Sequence, residues 1–228
     1  MNIPGGKTLR TWWEKRLEEM RLALAEVEKS SGLGLLCGLG GLVGAICGLV
    51  VLGLVLLIDS MQSLTFGEYG AGFKALPIEL RFGLPIVGAA FLGLVFQLLK
   101  RENREGGIVH IIERLVYYQG FLPMRAAIVQ FLSSAVAIAS GQSVGREGVA
   151  AHIGATAGSL FGRKLELPNN SVRTLVGCGT AAGIAASFNT PLGGVIFAME
   201  VVMMEYSIVS FAPIILAAVS ATAVAHLL

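Results

Sequence analysis

The sequence predicts an all-α polytopic membrane protein in which several helices stop inside the bilayer. Three observations predict it. Hydrophobic residues make up 54% of the chain and charged residues only 14%, about half of the roughly 25% that a soluble domain uses to cover its surface. Two long apolar runs lie in the first hundred residues. Beyond Gly106 the apolar stretches turn short and are interrupted by Gly, Pro and Asn.

Residues 8 to 29, TLRTWWEKRLEEMRLALAEVEK, place Leu9, Trp12, Trp13, Leu17, Met20, Leu24 and Val27 at helical spacing with charges opposite. That pattern predicts an amphipathic cytosolic helix over 1–30, resting on the protein or on lipid headgroups, ahead of a transmembrane unit over 31–228. Its mixed charges argue against nucleic acid. From Gly32 to Ile58 the only ionisable side chains are cysteines, a length that suits a tilted spanning helix. Gly40, Gly44 and Gly48 share one face of it, where another backbone can approach closely. Asp59 to Arg81 carries Glu68, Lys74, Glu79 and several glycines and reads as a loop. A second span, Phe82 to Leu99, ends in KRENRE. Six basic residues, Lys7, Arg10, Lys15, Arg16, Arg21 and Lys29, precede the first span, so both outer flanks, and with them the N-terminus, are predicted to be cytoplasmic.

The later stretches include GGIVHIIERLVYY, EGVAAHIGATAGSLFG and PLGGVIFAMEVVMMEYS, several of them below the roughly 20 residues needed to span. Helices that stop in the bilayer leave backbone groups unpaired, which is tolerated only beside protein or a watery cavity. Transporters bind substrate at such half-helix ends. In GQSVGREG, the glycines at 141, 145 and 148 predict a tight turn, and a helix starting near Glu147 offers free N–H groups and the positive end of its dipole. An anion fits there. Glu147 can fill the place itself as a tethered carboxylate, or leave it when protonated; the alternative is a structural Arg146–Glu147 ion pair or cap. Asn189-Thr190-Pro191 predicts a further helix start at Pro191. Glu200, in the apolar middle of that helix, reads as a buried carboxylate bonded to backbone N–H groups or as part of a proton path.

Other chemistries are disfavoured. Gly177 to Ala182 matches the GxGxxA dinucleotide pattern without the strand-turn-helix unit that gives the pattern meaning. His110, His152 and His226 read as dispersed, with no carboxylate partner at ligand spacing, so no metal is predicted. Cys37, Cys47 and Cys178 read as small apolar residues. The charged leader and long first run do not resemble a signal peptide. No nucleophile–base set predicts an enzyme, and no cofactor is expected.

At GREG, 145–148, and at GTAAGIAASFNTPLGGVIFAMEVV, 179–202, the chain resembles the CLC family of chloride channels and proton-coupled chloride exchangers. With the two preceding spans, the likeness covers nearly all of 31–228. It implies a CLC-type broken-helix transporter fold, first inverted repeat only. It further implies that Glu147 is the gating glutamate, and that the anion is held by backbone at Gly145, Arg146, Gly148 and Val149 and in a first loop at Gly106, Gly107 and Ile108. Val149 stands where the family motif has proline. Gly106 stands where the family's first loop has serine, which removes a hydroxyl donor. Val201 stands where many exchangers carry an internal proton-relay glutamate, with Glu200 beside it; this favours a channel or an atypically coupled exchanger. No counterpart of the family's second repeat is found, so the chain is expected to be the N-terminal part of a longer transporter. The resemblance implies a homodimer in an inner or plasma membrane, with 191–228 near the contact. The expected function is movement of small monovalent anions, chloride first, alone or in exchange for protons. The rival expectation is a non-transporting membrane scaffold or an inactive half-protein.

Overall fold

A computed structural model describes residues 5–66, 76–99, 104–204 and 207–226, with side chains of 5–31, 64–66, 208 and 209 outside that description. All regular structure among the described residues is helical: α1 (Gly5–Phe66), α2 (Ile78–Leu98), α3 (Gly107–Tyr117), α4 (Met124–Ala139), α5 (Glu147–Lys164), α6 (Asn169–Phe188), α7 (Pro191–Phe197), a π-helical turn (Ala198–Met203) and α8 (Ile208–His226).

Helix starts follow proline. Pro77, Pro123 and Pro168 sit just before α2, α4 and α6, and Pro191 opens α7 as expected, because a fixed φ suits a first turn whose N–H needs no helical partner. Asn189 ends α6 in the left-handed region at φ 56°.

One expectation is corrected at the front of the chain. The leader and the first span run on as one uninterrupted helix, α1; whether the 8–29 face is amphipathic in place lies outside the described side chains. The loop expected over 59–81 is shorter. Residues 59–66 contain no Gly or Pro, Ser60 and Ser63 donate back to the carbonyls of Leu56 and Ser60, and α1 continues to Phe66 while α2 already begins at Ile78. The apolar part of α1, Gly32–Ser63, and α2 are each long and apolar enough to cross a bilayer. At about 48 Å the former exceeds a hydrocarbon core of roughly 30 Å and must tilt or project. Most of α2 is exposed within this chain, Phe82 at 70% and Ile86 at 69%, as suits a helix solvated by hydrocarbon.

The core is built by backbone approach. A Cβ at Gly40 or Gly48 would meet the carbonyl oxygens of Pro213 or Ala221 on α8 at 2.8 and 2.7 Å, and one at Gly44 would strike Ala217. The glycine face expected on the first span is therefore real, and its partner is α8. Between α5 and α6 the contact is closer still: Gly154 faces the Gly179 carbonyl, Gly158 that of Leu175, and Gly183 that of Ala150. Buried alanines, Cys47, Cys178 and Met199 fill the space among α1, α6, α7 and α8. The GxGxxA run lies wholly inside α6 and is buried, so it forms no phosphate loop.

Gly179→Val should force these backbones apart and lower stability by about 1–3 kcal/mol or more. Gly53→Ala, with nothing within 4 Å of its new Cβ, should not lower it. Thermal unfolding of the two purified variants against the parent checks the difference.

Candidate functional site

Two broken helices bring their N-termini to one region. His110, in the first turn of α3, meets His152 of α5 with ring centroids 5.4 Å apart at 61°. Counted along the helix axes, the starts of α3 and α5 lie about 5 and 8 Å from this contact.

At α5 the expected turn is present. Gly141 adopts φ 84° after α4, and the chain reaches Arg146 at φ −80°, ψ −17° with no side-chain cap. Ala150 N–H donates to the Arg146 carbonyl at 3.0 Å. The N–H groups of Glu147, Gly148 and Val149 precede that first helical bond and are the orphan donors of the helix. The Glu147 carboxylate folds back against Gly145, where an added Cβ would overlap it. Gly148 has open space around it. The Val149 side chain is buried among Leu54, Ile58, Ala135 and Ile153, so only its backbone can serve a ligand. The alternative of a structural ion pair is not met: Arg146 and Glu147 are both exposed, and among the described residues no salt bridge joins them.

At α3, Gly106 is extended and exposed, Gly107 begins the helix at φ 79°, and Ile108 packs half-buried on the core. A positive φ of that size suits glycine alone among common residues. The N–H of Gly107 donates to Oε1 of Gln130 on α4 at 2.9 Å. A cavity of about 220 Å³ opens here, lined by Arg104, Gly106, Gln130 and Ser133 among others. Any Cβ at Gly106 would fall on the Gln130 carboxamide. A serine at 106 therefore requires the Gln130 carboxamide, the end of a flexible side chain, to turn away from its bond with Gly107. Sequence reasoning missed Gln130, although a lone carboxamide in AAIVQFLSS is a polar group at membrane depth that needs a partner.

Two further expectations are corrected. Glu200 is exposed within this chain. The π-helical turn points Ala198, Met199, Val202 and Met203 inward and leaves Glu200 and Val201 on the other side. Among the described residues no backbone N–H donates a hydrogen bond to Glu200, while Val202 of the same turn packs against Ile111 of α3 and Ala151 of α5. The histidines are not all dispersed. His110 and His152 touch, Glu105 Oε2 lies 3.5 Å from His110 Nδ1, and the donor atoms of Glu105, His110 and Glu113 fall within 4.8 Å of one another. Spacing along the chain hides this, because Glu105 precedes α3 and His152 belongs to another helix.

The family model for voltage gated chloride channels matches residues 88–228. The chain is 34% identical over 152 residues to a ClcB-like protein of Ralstonia nicotianae, covering 65% of this chain and 35% of that one. It is 30% identical over 146 residues to the voltage-gated ClC-type chloride channel ClcB of Yersinia pseudotuberculosis, covering 63% and 35%. The chain thus spans about a third of the length of these relatives, 35% in each case. In structure it is similar to a CLC-type fluoride/proton antiporter, with TM-score 0.69 at 25% identity over 87% of this chain and 48% of that one. A slow cyanobacterial Cl⁻/H⁺ antiporter shares the fold, with TM-score 0.66 at 21% identity over 84% and 46%.

If Gln130 and a side chain at 106 compete for one space, their substitutions are coupled. Gly106→Ser and Gln130→Ala should each lower the melting temperature, while Gly106→Ser introduced into Gln130→Ala should be nearly neutral. The interaction energy expected is about 0.5–3 kcal/mol, and a thermal double-mutant cycle measures it.

Proposed function

The chain belongs to the voltage gated chloride channel family, and from that premise we propose that it forms the gated anion seat of a CLC-type transporter for small monovalent anions, chloride first. The observation that carries the reading is the Glu147 carboxylate folded over Gly145, beside three N–H groups with no helical partner. Such a helix start is positive by its dipole and its free donors, and it favours a negative charge. With its carboxylate ionised, Glu147 is that charge and shuts out a free anion. Once protonated, the side chain loses its hold and the anion takes the backbone of Gly145, Arg146, Gly148 and Val149. The α3 start at Gly106, Gly107 and Ile108 adds a second positive helix end, with Gln130 in place of a serine hydroxyl. A non-transporting scaffold would leave these orphan donors without purpose.

The exposed carboxylate of Glu200 is open to protons and belongs to the proton path in this reading, with Val201 beside it. The basic flanks favour a cytoplasmic N-terminus in an inner or plasma membrane. Exposed apolar side chains on α7 and α8, such as Leu192, Ile196, Leu216 and Val219, suit either lipid or a second copy across a dimer contact.

In liposomes carrying the full protein, anion flux should rise as pH falls, because protonation opens the seat. Glu147→Ala should hold it open, giving flux that no longer varies with pH and moves no protons. A steep pH dependence surviving in that variant refutes the gate. Chloride at a hundred times its dissociation constant should also stabilise the purified protein by about 2.7 kcal/mol, and melting scans in chloride against an impermeant organic anion check that.

A further inference from the structure

The most anomalous groups in the chain are two imidazoles. His152 is fully buried and His110 is 3% exposed, and none of their four ring nitrogens has a hydrogen-bond partner among the described residues. Buried polar groups in folded proteins are nearly always partnered, so an exception asks for a reason. Ionisable groups at membrane depth are costly and are kept for function. The rings touch edge to face, and Nδ1 of His110 points towards Oε2 of Glu105, at 3.5 Å without the alignment of a hydrogen bond. Glu105 itself is 45% exposed. Water, an exposed carboxylate, a buried imidazole and a second buried imidazole therefore follow one another, and the last lies on the helix whose first residue is Glu147.

We propose that His110 and His152 form a proton-binding station that receives protons from solvent through Glu105 and hands them to the gating helix α5. The step balances without any other reactant. The O–H bond of the Glu105 carboxyl group breaks as an N–H bond forms at Nδ1 of His110. Once the two rings turn into hydrogen-bonding alignment, that ring releases the proton on its other nitrogen to His152 and returns to neutral as the opposite tautomer, which a ring flip resets, and hydronium on the exposed side reprotonates Glu105. His152 holds the proton about 8 Å from the start of α5.

The surrounding charges fit a single travelling proton. Burial is the largest influence on both rings and disfavours their charged form, so the shared proton is held weakly and passes on; of the charges, Arg114, Glu105 and Glu113 bear on His110, and His110 bears on His152. Among the described residues, α1 brings the buried thiol of Cys47 against Gly154 of α5, and α6 carries the buried thiol of Cys178; Arg173 of α6 donates to the Leu115 carbonyl at 3.2 Å. Arg125 of α4 and Glu200 of the π-helical turn are exposed. Two charged rings in contact would repel in apolar surroundings, so one proton is shared. Arg114 Nη2, 3.9 Å from the same Glu105 oxygen, already supplies the positive charge that a bound metal ion would bring.

The proposal rests on the anion-transport reading only for its consequence, and two measurements keep them apart. Purified full-length protein labelled at histidine is titrated by NMR between about pH 4 and 8, with His226→Asn to remove the third resonance. The expected result is uptake of one proton shared by two rings, lost in His110→Asn and in His152→Gln and shifted in Glu105→Gln. Two rings that stay neutral throughout overturn the station. In liposomes, His152→Gln should keep anion flux while proton uptake falls about a hundredfold, and His226→Asn should change neither. If wild-type protein moves protons and His152→Gln moves them equally well, the station is wrong and the anion seat stands. If wild-type protein moves no anion while the rings still share a proton, the station stands and the transport reading falls.

Discussion

The structure hangs on the contact between the backbones of α5 and α6. At Gly154, Gly158, Gly179 and Gly183 no side chain separates the two helices, and carbonyl oxygens of one lie where a Cβ of the other would be. In hydrocarbon there is no water to drive helices together, so close van der Waals packing carries the association. A helix held this tightly along its length has little freedom at its end. Its first turn, Glu147 to Val149, is thereby fixed in place, with the Val149 side chain, buried among Leu54, Ile58, Ala135 and Ile153, as a second anchor. The same contact buries His152 on the neighbouring face and presents it to α3.

From that constraint the chemistry of the site follows. A helix that starts inside the membrane must leave three or four N–H groups unpaired, and burying them costs free energy unless something negative or polar arrives. The chain meets this need differently at its two starts. At α3 it installs a permanent partner, the Gln130 carboxamide, on Gly107. At α5 no side chain caps the helix, and the anionic group folded against this turn is the carboxylate of Glu147, which can be neutralised by one proton. A fixed partner occupies its donor permanently, whereas a titratable one can leave. In the proposed reading, that difference between Gln130 and Glu147 is the difference between shape and gating.

Much of this was legible in the sequence, and what was missed has a common cause. The start of α5 at Glu147, the start of α7 at Pro191 and the glycine face of α1 all follow from local rules about glycine, proline and spacing. The shortened loop after α1 was misjudged because acidic residues and glycines were weighted above the absence of a breaker between Asp59 and Phe66. Gln130, the His110–His152 contact and the exposure of Glu200 depend on which helices meet and on a π-helical turn that shifts register. No period in one segment encodes those. A lone glutamine and two histidines in apolar helices did carry a signal, since each is a polar group that hydrocarbon penalises, but the signal says only that a partner exists.

The distribution of charge completes the argument. Arg146 and Glu147 adjoin in sequence, yet both are exposed and unpaired with each other. A mutual ion pair would cancel the field at the helix start and leave the carboxylate no reason to move. Kept apart, the arginine adds to the positive end of α5, and the glutamate is free to answer either a proton or a competing anion. Among the described residues, the formal charges that bear on the buried imidazoles are Glu105, just ahead of α3, and Glu113 and Arg114 of α3. Among the described residues, the apolar interior around the imidazoles thus carries no fixed charge of its own, and in the proposed reading whatever charge enters it is one that can also leave.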